Sequence, residues 1–432
     1  MKWRALIPAV FVILLFIIVA HFYNRGFVHQ RSHGVILLIA NGLDQEILNR
    51  ARVKVSARGQ KLFMDRMPIM GGNLPQYAFM TVQGFETPSP DEAAAATMLA
   101  SGVKVHNGFT AFTAQGNRLD SLMYQAQTYG RGTGLVTNGE LTLPTPVSFY
   151  GYIQGNESAE FRNAAELIDS SKIDVIFGGG ARYFRPISVF NEQGRLDGRS
   201  LEKDALNTGY SVVENAQELE KLPAWRTGRC LGLFQSGSFY YSSLREGVST
   251  TPNLSDMTRR SIELLQNNLR GYFLVVEGAL IAQACRSNLT DIAVEEAIAF
   301  DEAVKTAVTY AGKESTIIVL CGYSYGALPA SSSALVNPNS SLKQKNPEWL
   351  LGPGGLPTNV NDAKWLFQKE KEGFFSKTLG HPLRPREALQ FYRQARPTNS
   401  SGWLISNGFG VEHLGGVYSV ADLSSKIENL FK

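Results

Sequence analysis

The chain has 432 residues, with 42 basic against 38 acidic side chains for a net charge of +4. Hydrophobic residues at 44% and charged residues at 19% match a folded globular protein and exclude a disordered one. The charge excess is too slight to argue for nucleic acid, and Cys230, Cys285 and Cys321 lack any CxxC or Cys/His spacing, which excludes disulfide-stapled, zinc-finger and thioredoxin-type readings.

Residues 5–20 are uncharged and almost wholly apolar, and Lys2 and Arg4 precede them. Extended through Tyr23, the segment would reach about 28 Å as a helix, close to the roughly 30 Å core of a bilayer. A secretory signal has the same layout, but Ile18 at −3 from a cleavage after Ala20 is not small. Residues 1–23 therefore read as an uncleaved membrane anchor or a cleaved signal. Either places the rest of the chain outside the cytoplasm, in a periplasmic, extracellular or lumenal space, membrane-anchored or secreted. Residues 24–33 read as a polar linker.

From there strands and helices alternate. Apolar runs at Val35–Ala40, Gly134–Thr137, Asp174–Phe177, Tyr272–Val276 and Thr316–Cys321 predict strands buried on both faces. Helices are predicted over Asp91–Ala100, over Asp256–Leu269 behind a Ser255 cap, over Asp291–Tyr310 behind Thr290, and over Ser419–Phe431. Alternation of this kind implies a mostly parallel sheet between helical layers, with chemistry at the carboxyl ends of the strands. Residues 337–397 have weak periodicity and read as a cap or insertion within a domain spanning 33–432.

The strand ends themselves are chemically sparse. Among carboxylates only Glu140 and Glu277 follow a predicted strand, and none of the six histidines does. Gly178-Gly179-Gly180 follows a strand, but no Lys-Ser/Thr comes after it, so a P-loop is excluded.

Ordered blocks nevertheless resemble the alkaline phosphatase family over nearly all of the chain after residue 33. VILLIANGLD (35–44) resembles its first strand and metal-binding turn, DEAAAATMLASGVKVHNG (91–108) its nucleophile helix, and TGLVTNGELTLPTPVSFYG (133–151) its second ligand loop. DVIFGGGARYF (174–184), the block from Leu254 to Asn288, FDEAV (300–304) and STIIVLCGYSYG (315–326) follow in the family's order. The resemblance implies a three-layer α/β/α phosphomonoesterase with a serine nucleophile, two zinc ions and one magnesium.

Carried over residue by residue, it implies a degenerate site. Asn41 stands for a metal-bridging aspartate, Glu92 for the serine and Leu143 for a ligand ahead of Thr-Pro. Asn156 falls where the phosphate-clamping arginine is due. Ala282 and Arg286 replace one zinc pair, Gly322 and Tyr323 another, and Ser406 the last zinc histidine. Only Thr145 and Glu277 persist, both as magnesium ligands. No zinc is expected, and magnesium only weakly.

These changes imply a non-catalytic pseudophosphatase that acts as a binding or interaction protein. The alternative is an active metal-dependent phosphomonoesterase with substituted residues, in which Glu92 could serve as a carboxylate nucleophile. The family's habit of dimerising implies a homodimer or a heterodimer with an active paralogue. Arg286 is expected at hydrogen-bonding distance, roughly 2.7–3.2 Å, from Glu92 or Glu277, because two carboxylates without metal need a cation.

Overall fold

A computed structural model describes residues 12–16, 32–82, 84–85, 90–113, 115–151, 159–189, 191–224, 227–245, 250–322 and 401–432. Its strands are β1 (Gly34–Ala40), β2 (Gln76–Thr81), β3 (Gly132–Glu140), β4 (Val175–Gly179) and β5 (Tyr210–Val213). They continue with β6 (Arg229–Gln235), β7 (Tyr272–Glu277), β8 (Thr316–Cys321), β9 (Ser401–Gly408) and β10 (Gly416–Ser419). One sheet holds them in the order β10-β2-β9-β8-β1-β7-β3-β4-β6-β5. Every pairing is parallel except those of β9 with β2 and β8, so all other carboxyl ends share one rim.

The central strand shows why the sheet is covered on both faces. Ile36, Leu38 and Ala40 enter a core with the helices Gln45–Ser56, Leu254–Leu265, Leu280–Arg286 and Thr290–Tyr310. Val35, Leu37 and Ile39 enter the opposite core with the helices Glu92–Ser101, Leu122–Thr128, Pro144–Tyr150, Ala159–Asp169 and Val420–Asn429. All six side chains are fully buried, and each of the five larger ones contributes about 1.5–3 kcal/mol. The helix Glu92–Ser101 is buried from Ala93 to Ala100, and its alanines let it lie close against its neighbours. The expected α/β/α architecture with a mostly parallel sheet is the observed one.

Boundaries differ where local chemistry outweighs the simplest cap. The helix expected behind Ser255 starts at Leu254, because the Asp256 carboxylate accepts the Asn253 amide at 3.2 Å. It ends at Leu265 rather than Leu269, because the chain must turn through Gly271, at φ +82, into β7. Thr290 lies inside its helix instead of capping it. The edge group β10-β2-β9 has no counterpart among the predicted strands.

Two expectations fall largely outside the described residues. Of the apolar segment 1–23, residues 12–16 are helical with exposed side chains, so this piece is not part of either core. Among the described residues no helix is long and apolar enough to cross a membrane. The cap or insertion at 337–397 also lies outside them.

Candidate functional site

The shared rim places the surviving polar residues together. Asn41 follows β1 directly and turns at Gly42, whose φ of +82 requires glycine. A Cβ on Gly42 would sit 2.6 Å from the Ala282 Cα, so the turn is pressed against the helix Leu280–Arg286. Glu277 is the last residue of β7, in register with Ile39 of β1 and Thr137 of β3. Glu92 opens its helix behind Asp91, whose carboxylate caps the Ala94 amide at 2.9 Å and holds the Gly108 amide at 2.6 Å. Thr145 is buried in the first turn of the helix Pro144–Tyr150, where proline is preorganised for a helix start.

These residues form one hydrogen-bonded cluster. The Asn41 Nδ2 donates to Glu92 Oε1 at 2.9 Å and to Glu277 Oε1 at 3.0 Å. Ionised carboxylates only accept, so the amide nitrogen must face them. The Thr145 hydroxyl donates to Glu92 Oε1 at 3.1 Å, and the Thr137 hydroxyl to Glu277 Oε2 at 2.7 Å. Arg286 Nη1 donates to Glu92 Oε2 at 2.8 Å. Burial, and then the nearby Glu92 charge, push the Glu277 carboxyl up to about 7, against the opposing pull of its Thr137, Asn41 and Thr145 hydrogen bonds.

The expected contact between Arg286 and a glutamate is present, but its character differs from a buried pair. The Arg286 side chain is 42% exposed and meets Glu92 alone, while Glu277 is satisfied by Asn41 and Thr137. A guanidinium on the last residue of a short helix reaches the pocket mouth, not its floor. Ser406 is not brought to the cluster. It lies opposite Ile318, which pairs with Leu37, so it sits about 13 Å below the level of Asn41 along the strands. Leu143 precedes the helix Pro144–Tyr150 without a polar cap and packs toward Gly139. Gly322 ends the β8 turn at φ +67. Asn156 and Tyr323 lie outside the described residues.

Two partners escaped the sequence reading. Thr137 holds Glu277 and also accepts the Gly139 amide at 2.9 Å. Asn138 Oδ1 accepts the Ala279 and Leu280 amides at 2.7 and 3.3 Å and so caps the helix carrying Ala282 and Arg286. Polar residues at the end of an otherwise apolar strand were the available signal. Glu140, singled out in the sequence, is separate from the cluster and pairs with Arg182 at 2.7 Å.

The donor set does not suit the family's zinc ions. Zinc needs converging imidazole, thiolate or carboxylate ligands, whereas here an amide N–H and a guanidinium face the carboxylates and Ala282 offers a methyl group. Among the described residues no three His, Cys, Asp or Glu side chains gather into a metal-holding group. Glu277 and Thr145 could contribute oxygens to magnesium only if the Asn41 amide nitrogen turned away.

Comparisons with known proteins agree with the fold. The chain is 29% identical over 348 residues to the alkaline phosphatase of Escherichia fergusonii, covering 72% of each. It is 34% identical over 235 residues to alkaline phosphatase 4 of Bacillus subtilis, spanning about half the length of each chain. The membrane-bound alkaline phosphatase of Bombyx mori is 29% identical over 335 residues, covering 67% of this chain and 59% of that one. Two solved structures share the fold. Thermus thermophilus alkaline phosphatase has a TM-score of 0.68 at 21% identity, covering 93% of this chain and 92% of its own. The enzyme of the Antarctic bacterium TAB5 has a TM-score of 0.64 at 17% identity, covering 93% and 98%. Since the family model for alkaline phosphatase matches residues 32–346, the greater part of the sequence, this chain belongs to the alkaline phosphatase family.

Proposed function

We propose that this chain is a catalytically degenerate member of its family, a pseudophosphatase that binds a ligand or partner outside the cytoplasm. In this reading residues 5–23 anchor it to a membrane or direct its secretion. The observation that carries the reading is the Asn41 amide nitrogen, 2.9 Å from Glu92 and 3.0 Å from Glu277. Serine phosphatase chemistry of this type depends on metal ions to activate the nucleophile, stabilise the leaving alkoxide and neutralise the phosphoryl group. Here an N–H donor bridges the carboxylates and a glutamate occupies the helix start. Two carboxylates facing a phosphoryl group without metal would repel it.

The competing reading, an active phosphomonoesterase with substituted residues, is favoured by the names of the relatives. Full-length protein assayed with a chromogenic phosphate monoester, with zinc and magnesium added, separates the two. We expect no turnover above buffer, and no change in Glu92→Ala. Turnover that disappears in Glu92→Ala would overturn the reading and make Glu92 the nucleophile.

A further inference from the structure

We propose that the face formed by the amino-terminal ends of the parallel strands docks on a bilayer surface carrying anionic headgroups. The proposal rests on the reading of residues 5–23 as an anchor, and on three observations of the folded domain.

The first is charge. Lys172, Lys221, Arg270 and Lys313 lie on the approaches to β4, β6, β7 and β8. All four are exposed, and none has an ion-pair partner among the described residues. Nearby acids are already engaged, Asp169 by Arg199 and Glu428 by Lys432, which leaves Glu314 in opposition. At the opposite rim Glu92 and Glu140 are matched by Arg286 and Arg182, and Glu277 is buried, so no comparable set of unpaired cations lies there among the described residues.

The second is exposed apolar surface interleaved with these cations. Leu269, beside Arg270, is 94% exposed. Ile69 and Leu74, on the segment entering β2, are 63% and 57% exposed. The Gly71 turn between them lies against the Lys313 carbonyl, which puts this segment next to the turn into β8. Large aliphatic side chains among lysines and arginines suit a headgroup boundary, where the apolar groups enter and the cations stay at the phosphates.

The third is the point of attachment. The chain enters the domain at this face, where the His33 carbonyl accepts the Tyr272 amide at 2.8 Å and the Glu314 carbonyl accepts the His33 amide at 2.8 Å. Residues 24–31 alone separate Ser32 from Tyr23, and eight residues span at most about 28 Å when extended. Attraction between surface charges decays over about 8–10 Å at physiological ionic strength, so a tether this short makes the basic face the first to meet the lipid. Seven residues of β1 then lift the Glu92–Glu277 cluster about 23 Å further out, toward soluble partners.

The test uses the full chain with one surface label at a time. Cys230, Cys285 and Cys321 are buried, so a cysteine introduced by Leu269→Cys or Tyr240→Cys takes the fluorophore. Tyr240 is 60% exposed on the loop after β6, at the cluster's rim. In vesicles containing phosphatidylglycerol and a headgroup-linked quencher, we expect several-fold stronger quenching at 269 than at 240. High salt, or Arg270→Glu with Lys313→Glu, should abolish the difference. Equal quenching at both positions, or an effect at 269 indifferent to phosphatidylglycerol and salt, would overturn the proposal. Flotation with neutral phosphatidylcholine vesicles tests the anchor separately. A chain that does not float there has lost the anchor reading, while quenching at 269 on anionic vesicles still reports the face.

Discussion

Replacing Glu277 by glutamine tests the electrostatics of the cluster most directly. The Glu277 carboxyl is 1% exposed, and burial followed by the Glu92 charge raises it from about 4.5 to about 7. Below pH 4.5 the folded and unfolded chains both carry this proton. Between 4.5 and 7 the unfolded chain has released it while the folded chain keeps it, so stability falls as pH rises. Above 7 both have released it and the full penalty is in place. A shift of this size at about 1.4 kcal/mol per unit gives a penalty of about 3 kcal/mol. Glutamine can keep the geometry by turning its oxygen to the Asn41 amide and its nitrogen to the Thr137 hydroxyl. Asp301, raised to about 7 by burial, titrates in the same window, so the informative quantity is the difference between wild type and variant. Urea unfolding at half-unit steps from pH 5 to 8.5 should show Glu277→Gln gaining on wild type as pH rises. Parallel curves would mean that Glu277 takes up no proton on folding, and the electrostatic account of the cluster would fail.

Other substitutions probe the remaining partners. Arg286→Ala should cost only about 1 kcal/mol by chemical denaturation, because its pair is half exposed and Glu92 keeps Asn41 and Thr145. A loss near 4 kcal/mol would show a pair buried in solution. Thr137→Val should cost about 1–3 kcal/mol by leaving a buried carboxylate oxygen and the Gly139 amide without their partner. It should also move Glu277 proton uptake to higher pH, readable in the same pH series. Asn41→Asp puts a third acceptor between two carboxylates and should cost about 3–5 kcal/mol at neutral pH without metal. Millimolar magnesium should return part of that loss in thermal melts of this variant and leave wild type unmoved; equal magnesium shifts in both would contradict the amide's bridging role.

The central strands were legible in the sequence, because strands buried on both faces show as unbroken apolar runs. Glu277 could be placed at the carboxyl rim from its strand, whereas Glu92 was placed beside it only by the family resemblance. The sheet edge was not legible: Gln76–Thr81 and Ser401–Gly408 are half-polar, and they become strands by pairing across more than 300 residues. Thr137 was hidden for a related reason. Its role depends on the register of β3 against β7, which no local pattern displays. Ser406 is the reverse case: the resemblance implies a zinc-ligand position for it, and the antiparallel run of β9 carries it away from the rim.

The cluster's hydrogen bonding also limits what the site can receive. Glu92 Oε1 accepts from Asn41 and Thr145, and its Oε2 from Arg286; Glu277 Oε1 accepts from Asn41 and its Oε2 from Thr137. Every carboxylate oxygen is therefore engaged, and the Asn41, Thr145 and Thr137 donors are committed to the protein's own acids. Of the cluster's donors, the Arg286 guanidinium is the one that faces solvent over much of its surface. It gives one Nη1–H to Glu92 Oε2, so an anionic ligand could take its other donors while the pair, worth about 1 kcal/mol or less, stays in place. If the proposed binding function works through this rim, one half-exposed guanidinium beside Glu92 gives an anion little hold by itself, so the ligand would be an anion on a larger molecule with further contacts rather than a small free phosphate ester.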